Sequence, residues 1–387
     1  MRQARTVLPT YSADIFGVCS ALYELGGMTV MHDASGCNST YTTHDEPRWY
    51  DSDSLVFISG LTEMEAIMGD DSKVINDMLS AIHEFHPAFA VLAGSPIPMM
   101  TGFDFSSVAA ELEARSGIPC FGFQTNGMRS YICGVSEAFA AFAERMTDEN
   151  VKRKEKSVNI LGATPLDFSI NGTVESMREI LRQNDFEVIG TWAMGSSMDD
   201  LRLAGEASVN LVVSGAGMKA AKILKEKFGT PYVVGTMMGK TMTDKVIQAI
   251  RQTGDDGSDR IVFSNENAQD ETDFYIIGEG VLSRSLAYAI KLECGMMPRV
   301  IYPLELLTEL DGILSDMDIH VMEEEEIIEA CANAKLVIAD PLYRSILPEN
   351  CRLIPLPHEA FSGRIARKQI PDYTKIDLKE MIGGIML

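Results

Sequence analysis

Two cysteines near the start of the chain, Cys19 and Cys37, stand eighteen residues apart in GVCSALYELGGMTVMHDASGC, separated by a helix-like segment and the short apolar strand GMTVM. Cys37 lies in HDASGCNSTY, a polar turn rich in small residues after that strand, where a flexible backbone can aim a thiolate at a ligand. Two thiolates are too few for an iron–sulfur cluster, which is generally held by four. A symmetric dimer would supply the other two. The remaining cysteines read differently: Cys120 falls inside a predicted strand, Cys294 at a helix end, and Cys331 and Cys351 beside apolar runs, where free cysteine packs as a small hydrophobe. Cys133, in a loop entering a helix, is open between core packing and approach to a site. Seven scattered cysteines in a chain without a secretion signal argue against a disulfide framework.

Glycine-rich turns offer two more candidates. GTMMGKT, residues 235–241, follows the strand YVVG and precedes an amphipathic helix, but a phosphate-binding loop needs four residues between its glycines and only three intervene here. GEGVLSR, residues 278–284, has Ser283 where the dinucleotide fingerprint has its last glycine.

The elements that must position these residues are legible as alternation. Short apolar runs (SLVFISG, FAVLAGS, IPCFGF, SVNILGA, VNLVVSGAG, PYVVGTMMG, DFYIIGEG, PRVIYPL and KLVIADPL) are each followed by a small-residue turn and an amphipathic segment. That is the βα alternation of doubly wound parallel sheets. DSKVINDMLSAIHEF, DFSSVAAELEARSG and GTVESMREILRQNDF carry apolar residues at helical spacing. Charged stretches at residues 144–156 and around 251–273 divide the chain, giving expected units at 1–150, 157–258 and 272–370 with a C-terminal tail at 371–387. At 387 residues the chain suits two or three such domains. A net charge of −23 leaves no room for the phosphate-neutralising surface that nucleic-acid binding needs. No run approaches the ~18 apolar residues of a membrane span, so a cytoplasmic location is expected.

Over nearly its whole length the sequence resembles the component 1 family of nitrogenases and nitrogenase-like reductases. HDASGC resembles the family's H-G-x-x-G-C element, FISGLTEMEAIMGDDSKVINDM its Thr-Glu segment, and HPAFAVLAGSPIPMMTGFD its strand, cysteine turn and Gly-Asp-Asp. VNILGATPLDFSINGTVESMREILRQNDFEVIGTW is similar to the middle domain, continued by NLVVSGAGMKAAKILKEKFGTPYVVGTMMGKTMTDKVIQAI. The resemblance implies three Rossmann-like parallel-sheet domains. It also implies one [4Fe-4S] cluster at a subunit interface, ligated by Cys19 and Cys37 of each of two protomers. Electrons would come from a separate ATP-dependent iron–sulfur reductase, the family's component 2. The dimer would be a homodimer or a pairing with a paralogous subunit.

The departures matter as much. Ser95-Pro96 stands where the family usually has a third cluster cysteine, and Ser214 where nitrogenase anchors its iron–molybdenum cofactor. His358, in PLPHEAFSG, resembles the histidine facing that same cavity. The implied cavity wall is Ser214, Gly215, Lys240, Glu279 and His358, with Lys240 to neutralise a substrate carboxylate and His358 or Glu279 to donate protons. Within the family the short chain is similar to tetrapyrrole reductive cyclases acting on nickel-sirohydrochlorin a,c-diamide; reduction of another small molecule, and a metallocofactor scaffold without turnover, are the alternatives.

Overall fold

The computed structural model describes residues 5–34, 41, 45–263, 272–315 and 318–383. Three all-parallel sheets follow one another along the chain. The first holds β1 (Met28–His32), β2 (Leu55–Ile58), β3 (Ala90–Gly94) and β4 (Cys120–Phe123), in the order β2-β1-β3-β4. The second holds β5 (Ser157–Leu161), β6 (Glu187–Thr191), β7 (Val209–Val212), β8 (Tyr232–Val234) and β9 (Arg260–Ile261), in the order β6-β5-β7-β8-β9. The third holds β10 (Phe274–Ile277), β11 (Arg299–Tyr302), β12 (Ile319–His320), β13 (Leu336–Ala339) and β14 (Arg352–Pro355), in the order β12-β11-β10-β13-β14. The central strands are largely buried and mostly apolar because helices cover both faces of a parallel sheet. In β5, for instance, all five residues are buried, with Val158 beside Val209 and Ile160 beside Leu211.

The helices obey their spacing. Thr173–Gln183 buries Val174, Met177 and Leu181, and Ser72–Phe85 buries Val74, Ile75, Met78 and Ile82, both at three- and four-residue intervals. The helix Asp14–Leu22, which carries Cys19, lies against Tyr131–Arg145 at a distance only glycine permits. A Cβ at Gly17 would sit 2.0 Å from the Tyr131 carbonyl oxygen, and one at Gly134 1.9 Å from that of Asp14.

Two expected boundaries shift. The middle unit does not end at 258, because β9 adds to its sheet at 260–261 after a helix that runs from Gly239 to Asp256. The segment from 371 is not a free tail: Tyr373, Leu378 and Ile382 are buried, and the Tyr373 amide donates to Thr173 Oγ1 at 3.0 Å. Apolar side chains at a chain end dock where they can leave water. One buried cluster joins all three units, from Cys19 and Phe139 through Trp192 and Val212 to Ile301 and Phe361. Among the described residues no helix is long and apolar enough to cross a membrane.

Candidate functional site

Parallel sheets present ligand-binding loops at their carboxyl ends. Here such loops from the second and third sheets meet a helix of the first unit. Asp167 follows β5, Gly215 follows β7, Glu279 follows β10, Asp340 follows β13 and His358 follows β14, while Tyr131 opens the helix Tyr131–Arg145. His358 Nε2 lies 3.2 Å from Asp167 Oδ1, and the Tyr131 hydroxyl donates to the same oxygen at 2.5 Å. One carboxylate thus links all three units.

Glu279 is the N-cap of the helix Gly280–Cys294: its Oε2 accepts from the Leu282 amide and its Oε1 from the Gly215 amide, both at 2.9 Å. A Cβ at Gly215 would stand 2.9 Å from Glu279 Oε1, so the carboxyl group occupies the space in front of that glycine. Burial, reinforced by the Asp167 charge, pushes Glu279 up to about 7. Asp340 holds the histidine loop, its Oδ2 accepting from the His358 amide at 2.8 Å and both its oxygens from the Ser362 hydroxyl at 2.6 and 2.7 Å. Asp167 Oδ2 and His358 Nδ1 are buried without a hydrogen-bond partner. Beside His358 lies a cavity of about 40 Å³ walled by Glu279, Ser283, Asp340, Tyr343, His358, Phe361 and further, mostly apolar, side chains. A carboxyl group raised toward neutrality and a histidine with an unused ring nitrogen can give and take protons.

Of the wall expected from the sequence, Gly215, Glu279 and His358 come together. Ser214 is buried, and its hydroxyl donates to the Gly162 carbonyl at 3.0 Å. Lys240 is corrected: the helix starts at Gly239, so Lys240 sits exposed in its first turn and borders a separate groove with Thr241, Glu293, Lys375 and Lys379. Glu293 Oε1 accepts from the Thr241 amide at 3.2 Å, and this carboxylate at the helix start disfavours a phosphate there. Sequence reasoning missed Tyr131, Asp167 and Asp340. Asp340 was accessible in principle, since it directly follows the apolar strand in KLVIAD.

Cys19 is fully buried, and its thiol is pushed well up by burial and by the neighbouring Glu46 carboxylate. Glu46 is itself held by the Tyr41 hydroxyl at 2.8 Å and by Arg48 Nε at 2.7 Å, and Arg48 reaches the carbonyls of Ser20 at 2.9 Å and Ala193 at 2.6 Å. Cys37 lies outside the described residues. Among the described residues no group of three or more His, Cys, Asp or Glu side chains could hold a metal ion. Ser95 caps the helix Pro96–Thr101 at the end of β3, with its Oγ buried and unpartnered. Cys120 starts β4 and Cys133 lies within the first turn of its helix; both are buried, and burial pushes their thiols up, Cys133 to about 11.

Residues 15–301 match the family described as nitrogenase component 1 type oxidoreductase. The nitrogenase iron-molybdenum cofactor biosynthesis protein NifE of Clostridium pasteurianum is 26% identical over 185 residues, covering 47% of this chain and 40% of that protein. The nitrogenase molybdenum-iron protein alpha chain of the same organism is 27% identical over 209 residues, covering 51% and 36%. A light-independent protochlorophyllide reductase subunit of Prosthecochloris aestuarii is 36% identical over 113 residues, covering 28% and 21%. The chain therefore spans two fifths or less of the length of these relatives. A solved structure titled nitrogenase Cp1 at pH 6.5 shares the fold, with a TM-score of 0.70 at 15% identity over 100% of this chain and 94% of that one. With the match running through the first two sheets and into the third, the chain belongs to the nitrogenase component 1 type oxidoreductase family.

Proposed function

We propose that the chain is the electron-accepting component of a two-component nitrogenase-like reductase, in which Glu279, Asp167 and His358 supply protons to a small molecule. The observation that carries this reading is Glu279, a carboxyl group buried where the three units meet and raised to about 7, beside a histidine whose Nδ1 has no partner. Buried acids tuned toward neutrality are what proton-coupled reduction needs. His358 can carry a proton between Nε2, against Asp167, and the free Nδ1, while Tyr131 holds Asp167 in place.

Electrons would arrive from an ATP-dependent iron–sulfur reductase through one [4Fe-4S] cluster held by Cys19 and Cys37 of each of two copies, or of a copy and a paralogue. Cys19 suits a sulfur donor for such a group, being shielded from water. The Glu46 carboxylate beside it disfavours a bare thiolate, and bound iron would offset that charge. When bound, the cluster supplies single low-potential electrons. The substrate this junction favours is small and neutral or cationic. A carboxylate-rich tetrapyrrole suits it less well, because the cavity is about 40 Å³, its polar wall is acidic, and Lys240 borders a different groove.

The match to a cofactor biosynthesis protein favours a second reading, a scaffold that carries a metallocofactor without turnover. Iron and acid-labile sulfide, with low-temperature electron paramagnetic resonance, come first. One four-iron cluster per dimer is expected in the anaerobically purified protein and should vanish in both Cys19→Ala and Cys37→Ala; a reconstituted protein without a cluster sinks the electron-transfer proposal. ATP-dependent turnover with a component 2 reductase then separates reductase from scaffold, and optical titration with tetrapyrroles tests that substrate class.

A further inference from the structure

The junction cavity, at about 40 Å³, has room for only a few waters, yet a cleft of about 350 Å³ opens beside it. The cleft runs between the first and third units, bordered by Arg5, Arg129 and Ser130 on one side and by Glu305, Glu323 and Glu324 on the other. Two side chains, Tyr343 and Phe361, line both spaces. They form the partition. Their ring centroids are 5.9 Å apart, and Phe361 stands edge-on to the His358 ring at 5.4 Å.

The chain carrying these rings is pinned. The Thr10 amide and hydroxyl both donate to the Phe361 carbonyl at 2.9 Å, the Tyr11 amide donates to the Ala360 carbonyl at 2.9 Å, and the Tyr343 amide donates to the Asp340 carbonyl at 3.1 Å. Opening is therefore a matter of side-chain rotation at Tyr343 and Phe361, with the pinned backbone left in place. The polar inventory of the cleft sets what can enter. Arg5 is already paired with Glu323 at 2.9 Å, and Arg129 with Glu137 at 2.6 Å and Asp14 at 3.2 Å. On the opposite wall the Ser130 amide donates to Glu305 Oε2 at 2.8 Å and the Thr6 and Val7 amides to Glu324 Oε2 at 2.7 Å, so neutral donors hold both carboxylates.

We infer that small molecules reach the Glu279–His358 junction through this cleft, past Tyr343 and Phe361, and that the carboxylates of its third-unit wall select neutral or cationic molecules over anions. The inference rests on reading the junction as the reaction site, but its test needs no turnover.

Ser283 lines the junction cavity and not the cleft, so Ser283→Cys places a near-isosteric thiol behind the partition. Alkanethiosulfonate labelling at position 283, mapped by mass spectrometry on the full-length protein, should quicken about tenfold when Phe361→Ala is added, because labelling follows the open population. Buried Cys120, in the first sheet, serves as the internal reference for unfolding, and Phe361→Leu replaces Phe361→Ala if Cys120 labels in step. In the opened protein a trimethylammonium reagent should outpace a sulfonate reagent about tenfold, as expected for a charged cleft that focuses ions. Glu323→Lys should at least halve that preference while Glu175→Lys, on the exposed face of the helix Thr173–Gln183, leaves it alone. Unchanged labelling when Phe361 is shortened, or equal effects of the two lysine substitutions, overturns the route. Failure to find a cluster or turnover, by contrast, bears on the proposed reduction and leaves the labelling result standing.

Discussion

The surroundings of Cys19 and of His358 are both buried and both rich in charge, and they are built in opposite ways. Around Cys19 the charges are matched: Glu46 receives Tyr41 and Arg48, and the Arg48 guanidinium ties Ser20 of the first unit to Ala193 of the second while lying 4.9 Å from the Tyr23 ring centroid. Unpartnered buried atoms occur in both, but around Cys19 they are the Ser20 and Tyr23 hydroxyls, whereas around His358 they belong to an acid and a base, Asp167 Oδ2 and His358 Nδ1. An unpaired buried polar group is costly and persists where something other than stability maintains it. On the proposed reading the first region holds its geometry and the second exchanges protons.

Breaking the matched region should have the largest effect. Arg48→Met leaves Glu46 buried without its cation and is expected to cost about 3–5 kcal/mol in urea unfolding; a cost under about 1 kcal/mol would remove the contrast. The next effect is one of pH, with opposite signs in two places. Glu279 binds its proton more tightly in the native state, at about 7 against an ordinary 4.5, so its contribution is full below 4.5 and is lost as pH rises toward 7, by about 2–3 kcal/mol. His32, buried under Phe103 with its Nδ1 2.8 Å from Ser59 Oγ, is pushed down to about 4 from 6.5. Its contribution is full above 6.5 and is lost as pH falls toward 4, by about 3 kcal/mol. Melting curves across pH should show the alkaline loss flattened by Glu279→Gln and the acid loss flattened by His32→Gln. The smallest stability change belongs to Asp167→Asn, within about 1 kcal/mol, since the amide oxygen can still accept from Tyr131. That variant should nevertheless shift the Glu279 transition to lower pH, because the Asp167 charge helps to raise it, and should depress turnover about tenfold.

The sheets were legible where their strands are long apolar runs, which includes the half-buried edge strand β2. The nine apolar runs picked out in the sequence all contain strands, and GMTVM supplies β1. The four strands not singled out, β6, β9, β12 and β14, are the edges of the second and third sheets. β9 and β12 are two residues long, and β6 and β14 are exposed at their first residues, so none makes a fully buried apolar run. The site follows the same logic. Glu279 was visible through its glycine-rich turn and His358 through the family resemblance, whereas Asp167 and Tyr131 enter the site only because the three units fold onto each other, which no local pattern encodes. Lys240 was misread for a local reason: a helix that begins at Gly239 carries it into solvent rather than around a ligand.

The contact between the helices Asp14–Leu22 and Tyr131–Arg145 has a further consequence. With Gly17 and Gly134 each facing the other helix's backbone, no side chain cushions the crossing, and the two helices form a single stiff strut. Cys19 stands on one member and the Tyr131 hydroxyl on the other, so the span between that sulfur and that hydroxyl is held by a contact that two missing methyl groups allow.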